Sequence, residues 1–278
     1  MSQVEVLLEG LDHTEGVAWG LDGCLYAGGE AGQIYKIDVE QRSAQLVGST
    51  GGFILGIALD SSGKVYACDS QRRAVIRMSA DGTSSIATEG TVERPMVTPN
   101  YPVFTKSGRL FVSDSGTWQQ NDGCIYVREP DGTTHVWSTE AQQFPNGLAL
   151  DREENFLHVV ESTGERVVRI PINSDGSGGQ SELVVDLVKT VPDGLAFDVD
   201  GGLLISCYRP DVIYYLSTDE NLTVLAEDYC GTILAAPTNV CFGGDSMKRL
   251  FVANLGRWHI SEIQMAIPGN ALNYPVLN

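Results

Sequence analysis

Residues 193–207, DGLAFDVDGGLLISC, consist of an apolar run, a turn and a second apolar run. The same template occurs five more times, in EGVAWGLDGCLYAG from Glu15, LGIALDSSGKVYACD from Leu55, NYPVFTKSGRLFVSD from Asn100, NGLALDREENFLHVVE from Asn146 and NVCFGGDSMKRLFVAN from Asn239. Successive copies begin 40, 45, 46, 47 and 46 residues apart. An internal repeat of this length is typical of propellers and other repeat architectures.

Most copies are followed by a third and a fourth alternating run, such as QIYKID from Gln33 and the AQLVGS that comes after it. Four short strands per unit, with turn residues between them and no helical period, predict an all-β, six-bladed β-propeller in a single domain over residues 1–278. The sixth copy has no clear fourth strand, whereas VEVLLEG at the amino end is a strand without a blade. We therefore expect this segment to complete blade six and close the ring.

The composition agrees with a soluble all-β domain. Hydrophobic residues make up 42% of the chain, charged residues 19%, and 31 glycines are spread along its length, which indicates many short strands joined by tight turns. The formal net charge of −18 would repel phosphate backbones and anionic membranes, so nucleic-acid and membrane partners are disfavoured. The amino-terminal residues lack the pattern of a signal peptide, which favours a cytoplasmic location.

The six cysteines form no CxxC pair and no Cys/His metal spacing, so we interpret them as free thiols that mainly fill the core. Chemistry is better sought at the start of each first strand. In a propeller these strands line the central channel, so equivalent positions lie at one height around its axis. This column contains five side chains that carry oxygen and one leucine: Glu15, Leu55, Asn100, Asn146, Asp193 and Asn239.

Two carboxylates that converge on a narrow axis raise each other's pKa unless a cation neutralises them. Carboxylate and amide oxygens without cysteine or histidine select calcium, magnesium or manganese, and calcium accepts irregular sets of six to eight oxygens. The column therefore predicts one divalent ion, with calcium as the first choice. The alternative is that these side chains only hydrogen-bond water in a polar channel.

Four motifs carry a resemblance to a known family, namely EGVAW at Glu15, PNGLALD at Pro145, PDGLAFD at Pro192 and PTNVCFGG at Pro237. In their order and spacing they resemble the senescence-marker-protein/gluconolactonase, or regucalcin-like, family through essentially the whole chain. The resemblance implies a lactonase that depends on calcium or another divalent ion. It also implies that Glu15, Asn146 and Asp193 bind the metal, that Asn100 meets substrate or metal, and that Asp193 serves as base.

The sequence departs from the family pattern around Asn100. Where family members often have an arginine and an aspartate, this chain has Thr98 and Tyr101. Arg94, on the preceding loop, is a candidate for the missing cation, although an exposed loop arginine is the alternative. His13, two residues before Glu15, is a candidate for the mouth of the site. We thus expect Asn100, Arg94, Tyr101 and His13 to contact the substrate.

The resulting hypothesis is a hydrolase that opens a small lactone, with a sugar lactone as the first choice of substrate. The metal would polarise the carbonyl, and Asp193 or a metal-bound hydroxide would activate water. Zinc and iron(II) are alternative ions, and we expect a monomer or a weak homo-oligomer. Two other functions stay open: a non-enzymatic propeller that binds calcium or a partner, and a phosphotriester hydrolase.

Overall fold

A computed structural model describes residues 4–277, and within that range the regular structure consists of 24 β-strands without a helix. Accordingly, none of these residues belongs to a helix with the length and apolar character needed to cross a bilayer. The strands form six separate sheets of four antiparallel strands, which are the six predicted blades.

The first half of the chain forms the closing strand and three blades. The strand that closes the ring is β1 (Val4–Glu9). Blade one contains β2 (Val17–Trp19), β3 (Leu25–Gly28), β4 (Gln33–Asp38) and β5 (Ser43–Ser49). Blade two contains β6 (Ile54–Leu59), β7 (Val65–Asp69), β8 (Ala74–Met78) and β9 (Ser84–Thr88). Blade three contains β10 (Pro99–Phe104), β11 (Leu110–Asp114), β12 (Cys124–Arg128) and β13 (Thr134–Ser138).

The second half forms the remaining blades. Blade four contains β14 (Pro145–Leu150), β15 (Phe156–Glu161), β16 (Arg166–Pro171) and β17 (Glu182–Asp186). Blade five contains β18 (Val191–Phe197), β19 (Leu203–Arg209), β20 (Val212–Leu216) and β21 (Leu222–Glu227). Blade six contains β22 (Pro237–Gly243), β23 (Arg249–Asn254) and β24 (His259–Gln264).

The fourth strand of blade six comes from the other end of the chain. Strand β1 pairs antiparallel with β24, and the sheet order is β1, β24, β23, β22. The prediction that VEVLLEG completes this blade is confirmed. Because the first and last strands of the ring belong to one sheet, main-chain hydrogen bonds close the circle.

Six apolar clusters, one between each pair of neighbouring blades, hold the ring together. Between blades one and two, for example, Ile34 packs with Ile57 and Val65, and all three are fully or almost fully buried. Cys68, Cys124, Cys207 and Cys241 are buried in these clusters as free thiols, while Cys230 is exposed. Burial of such surfaces is the main favourable contribution to folding.

Residues after β24 form no further strand but cross the end of the channel where the first strands finish. The amide of Asn270 donates to the Phe197 carbonyl at 2.8 Å, and the amide of Ser61 donates to the Pro275 carbonyl at 3.0 Å. The Asn273 side-chain amide donates to the Phe104 carbonyl at 2.8 Å, and the Tyr274 hydroxyl donates to the Trp19 carbonyl. We call residues 266–277 the C-terminal strap.

Candidate metal and active site

The start of each first strand lies at the end of the channel opposite the strap. Five of the six first strands have an irregularity in pairing that spans this position, for instance between Pro145 and Leu148 and between Pro192 and Leu195. A bulge places an extra residue on one strand and re-aims its side chain. A proline stands one or two residues before four of the ring residues, and proline cannot donate to the sheet ladder.

These positions form a buried ring of polar groups. The exposed fractions of Glu15, Asn100, Asn146, Asp193 and Asn239 lie between 1% and 8%. The side-chain oxygens without any hydrogen-bond partner include Asn100 Oδ1, Asn146 Oδ1, Asp193 Oδ1 and Asn239 Oδ1. Buried polar atoms are nearly always paired in proteins, so water or a bound ligand is expected to pair with the several free oxygens of this ring. The sixth member, Leu55, contributes an apolar side chain.

Two serines fix the orientation of two ring amides. Asn100 Nδ2 donates to Ser115 Oγ at 3.0 Å, and Asn146 Nδ2 donates to Ser162 Oγ at 3.2 Å. Each hydroxyl uses its own proton on a carbonyl of the next blade, since Ser115 donates to Pro145 and Ser162 to Pro192, both at 2.7 Å. The serines can therefore only accept from the amide nitrogens, which leaves the amide oxygens as free acceptors.

Other buried hydroxyls join the main chains of neighbouring blades around the ring. Ser113 donates to the Asn146 carbonyl at 2.7 Å, and Thr238 donates to the Glu15 carbonyl at 2.8 Å. Such bonds connect blade three to blade four and blade six to blade one. The ring residues are thus held by their main chain as well as by their side chains, as a preorganised site requires.

The two carboxylates of the ring disfavour each other's charge. Burial raises the pKa of Glu15 to about 8. Burial also raises the pKa of Asp193 well above its ordinary value, and the negative charge of Glu15 raises it further. Without a cation, at least one of the two carboxyls therefore stays protonated to a higher pH than an exposed carboxyl does. A divalent ion would replace that proton.

Carboxylates at the ends of second strands hold the loops that enter the site. Asp114 accepts the amides of Val97 and Thr98, both at 2.7 Å, just before Asn100. Glu161 accepts the amide of Gln143 at 2.8 Å, just before Asn146. These bonds fix the approach of the chain to the two ring asparagines.

The other substrate candidates lie in different surroundings. Arg94 directs its guanidinium to the carbonyls of Asp122 and Gly123, so its charge anchors a loop rather than pointing freely over the ring. Tyr101 is buried and faces the channel beyond Asn100, where most other blades have glycine. Burial raises the pKa of its hydroxyl, and nearby negative charges that include Asp193 contribute.

His13 is on the loop that leads to Glu15. Its Nδ1 contacts the Glu30 carboxylate and lies 3.9 Å from Asp12 Oδ1, and its ring packs edge-on against Trp258 with centroids 4.5 Å apart. Asp12, His13 and Glu30 bring three ligand atoms within 4.8 Å of one another. All three are partly or fully exposed and already contact each other, so they form a polar rim cluster outside the ring.

Several aromatic side chains lie on loops at the ring end. Trp118 and Phe144 pack edge-on with centroids 4.7 Å apart, and Phe144 is two residues before Asn146. Among the described residues, the strongly exposed aromatic side chains are Trp118, Tyr229 and Trp258, and all three lie on loops at this end. A substrate that approaches the polar ring from this end would pass these aromatic side chains.

Sequence reasoning did not assign Asn239, Ser115 and Ser162 to the site. Asn239 was recognised in the column but not as a ligand, although both of its amide atoms are buried without a partner. The serines follow a carboxylate at the end of a second strand, in SDS at 113–115 and VES at 160–162. That repeated pair of an acid and a serine is the signal that could have identified them.

The donor set suits a hard divalent cation. The ring offers two carboxylates and several buried amide oxygens that have no hydrogen-bond partner. Oxygen ligands of this kind are those that calcium and magnesium prefer in proteins. Glu15, Asn146 and Asp193 are therefore fitted to hold such an ion, with Asn100 and Asn239 beside them.

The fold and the ring define a class: six-bladed propellers with a polar, cation-suited site at one end of the channel. Within this class, residues 14–255 match the model of the SMP-30/gluconolactonase/LRE-like region, and the chain belongs to that family. The chain is 30% identical to mouse adipocyte plasma membrane-associated protein over 115 residues, which are 37% of this chain and 28% of that protein. It thus spans only about a quarter of that relative.

Two solved structures have the same fold. A gluconolactonase from Xanthomonas campestris superposes with a TM-score of 0.81 at 20% identity, and the match covers 96% of this chain and 90% of that one. Regucalcin from Agrobacterium tumefaciens, described as a calcium-binding protein, superposes with a TM-score of 0.80 at 17% identity, covering 100% and 98%. Identities this low establish similarity of fold alone.

Proposed function

We propose that this protein is a metal-dependent hydrolase that opens a small lactone at the polar ring. The observation that carries the proposal is the set of buried side-chain oxygens without hydrogen-bond partners around two carboxylates. Family membership supports the reaction class, since relatives of the same fold include a gluconolactonase. A sugar lactone is the first substrate to test.

In this proposal Glu15, Asn146 and Asp193 hold the divalent ion, with calcium as the first choice. When bound, the ion supplies a positive charge that stabilises the negative charge developing on the lactone carbonyl oxygen. The serine bonds to Asn100 and Asn146 keep the amide oxygens turned toward the ion and the substrate. This arrangement limits the reorganisation needed during the reaction.

Asp193 is the candidate base. It is buried, one of its oxygens has no hydrogen-bond partner, and its pKa is raised by burial and then by Glu15. These pKa shifts belong to the metal-free protein; in the metal-bound protein the base role rests on the buried carboxylate oxygen that has no hydrogen-bond partner. Proton transfer from water to Asp193 would allow the water oxygen to attack the carbonyl carbon. The acyl C–O bond of the lactone would then break, and Asp193 would return the proton to the departing alkoxide oxygen.

The mouth supports a substrate without negative charge. Trp118, Phe144 and Trp258 offer apolar faces, and the polar rim cluster and the net charge of −18 are acidic. An anionic substrate would be repelled from such a surface, whereas a neutral lactone would not. Aromatic side chains can stack on the hydrophobic face of a sugar and can also contact an apolar group. Sugar lactones and apolar lactones therefore both belong in the test.

A second candidate is a calcium-binding propeller without turnover. The depth of the ring favours it, because every polar member is at most 8% exposed and a buried ion exchanges slowly. The structural neighbour regucalcin is described as calcium-binding. The two functions share the metal site and differ only in hydrolysis.

One experiment separates these functions. Purified protein, stripped with chelator and reloaded with calcium, magnesium, manganese, zinc or iron(II), is assayed on sugar lactones, acyl-homoserine lactones and phosphotriesters. The proposal expects metal-dependent opening of at least one lactone. Tight calcium binding without hydrolysis of any compound would favour the calcium-binding propeller, and hydrolysis of phosphotriesters alone would favour that other reaction.

A further inference from the structure

A cavity of about 300 Å³ lies at the end of the channel opposite the polar ring. It is formed by the later residues of the first strands and is closed below by residues 270–274 of the C-terminal strap. Its apolar walls include Ile57, Leu59, Val103, Leu150, Phe197 and Phe242. The proposed hydrolysis makes no use of this space.

The cavity walls have accessible apolar surface although they lie inside the propeller. Ala58, Val103, Leu150, Ala196 and Phe197 are only half-buried, and all five line the cavity. Other first-strand side chains that line the cavity, such as Leu148 and Leu195, also pack against a neighbouring blade and are almost fully buried. The half-buried side chains thus contribute accessible apolar surface to the cavity wall.

Three of the four charged side chains at the cavity edge, those of Lys106, Asp151 and Glu154, have hydrogen-bond partners. Lys106 Nζ donates to the Arg152 carbonyl at 2.7 Å, and the Lys106 amide donates to Glu154 Oε1 at 2.9 Å. The Asn273 side chain also donates to Glu154 Oε1, at 2.8 Å, and Asp151 Oδ1 accepts the Phe156 amide at 2.7 Å. Two acidic and two basic side chains, Asp151 and Glu154 with Lys106 and Arg152, line the space, so their formal charges cancel.

We propose that this cavity is a second binding site, which takes a small uncharged apolar molecule such as a single aromatic ring or a short aliphatic chain. The volume is at the lower end of the range of small-molecule pockets, about 300–1,000 Å³. Burial of apolar ligand surface against the apolar walls is favourable. The formal charges at the cavity edge sum to zero, so they do not favour a charged ligand. Cavities with apolar walls bind such molecules, as a cavity lined by leucine, isoleucine and phenylalanine binds benzene.

The cavity shares three strands with the polar ring. Strands β10, β14 and β18 begin with the ring residues and continue to Tyr101, Leu148 and Leu195, which line the cavity. A molecule bound there contacts the same strands that position Asn100, Asn146 and Asp193, although it approaches from the opposite end. Binding there is independent of whether the ring hydrolyses a lactone.

The test uses thermal melting and calorimetric titration of the full-length protein with p-xylene and, separately, with cyclohexane and benzoate. Wild-type protein is expected to bind p-xylene saturably with one site and an increased Tm, and to bind benzoate at least tenfold more weakly because of its charge. Ala196→Leu and Ala58→Leu fill the cavity and should each weaken p-xylene binding at least tenfold. Ala44→Leu, on the exposed outer strand of blade one, should not.

A second measurement requires no variant. In the wild-type protein, nuclear Overhauser effects from the p-xylene methyl groups should reach the rings of Tyr101 and Phe197. Absence of saturable binding, equal binding by the filled variants, or contacts only to surface side chains would each overturn the proposal.

Discussion

The two ends of the channel are built from the same six strands and have opposite chemistry. At the ring end, bulged residues such as Asn146 and Asp193 direct unpaired oxygens toward one axis. At the strap end, residues three to five positions further on, such as Ala149, Leu150 and Phe197, direct apolar surface into a cavity. In five of the six first strands, an irregularity in pairing lies at the ring residue, before the strand continues to the apolar end.

The largest expected effect is on the chemistry of the ring end. Asp193→Asn keeps an oxygen ligand but removes most of the basicity of the side chain. Turnover of the best lactone should fall by about a hundredfold or more, the usual scale for general-base catalysis, while the metal still binds. Steady-state kinetics at saturating metal measure this. Full activity of the metal-saturated variant would exclude Asp193 as base, and p-xylene binding at the strap end should be unchanged.

The second-largest expected effect is on metal affinity, when one of the two charges at the ring end is removed. Glu15→Gln should lower metal affinity by about tenfold or more, because ligand charge sets much of the affinity of oxygen sites. Isothermal titration with calcium measures it, with Glu30→Gln on the exposed rim as control. Unchanged affinity of Glu15→Gln would mean that the ring is not the metal site.

The third prediction concerns pH and the metal-free protein. The pKa of Glu15 is raised from 4.5 to about 8 in the folded state, so the folded protein binds this proton more tightly than the unfolded chain. The stabilisation is complete below pH 4.5 and is lost as pH rises to about 8. Denaturant melts in chelator should show this decline, and Glu15→Gln should reduce it. In saturating calcium, stability should not fall over this interval, because the ion replaces the proton.

The smallest expected effect tests how the ring oxygens are oriented. Ser162→Ala removes the acceptor for Asn146 Nδ2 and frees the amide to rotate. Metal affinity should fall about fivefold, which corresponds to the loss of a hydrogen bond of about 1 kcal/mol. Ser70→Ala is the matched control, because Ser70 has the equivalent place in blade two, where the ring residue is Leu55. Equal losses in both variants would indicate a general structural effect.

Much of the fold could be predicted because it repeats. Apolar alternation and glycine-containing turns recur in every blade, so the six sheets and the closure by VEVLLEG follow from the sequence. The ring column followed from the same alignment. The predicted six-bladed propeller and the predicted family are confirmed. The roles of Glu15, Asn146 and Asp193 as metal ligands stay predictions.

Features that do not repeat escaped the sequence analysis. The C-terminal strap has no alternation, because side-chain and main-chain bonds such as those of Asn273 hold it rather than a ladder. Arg94 was considered as a cation for substrate, but its bonds to carbonyls 28 and 29 residues away depend on a loop shape that no local pattern encodes. The orientation of Asn146 likewise depends on a partner from another strand, Ser162.

The glycines that follow four of the ring residues determine how closely the first strands approach one another around the channel. A Cβ atom on any of them would overlap the main chain of the neighbouring first strand; they are Gly16, Gly56, Gly147 and Gly194. The absence of a side chain at these four positions therefore allows neighbouring first strands to approach closely just beyond the ring residues. If the ring holds a metal ion as proposed, the ionic radius that it accepts depends on residues that donate nothing to the ion, so we expect a glycine substitution to alter ion selectivity while leaving every proposed ligand in the sequence intact.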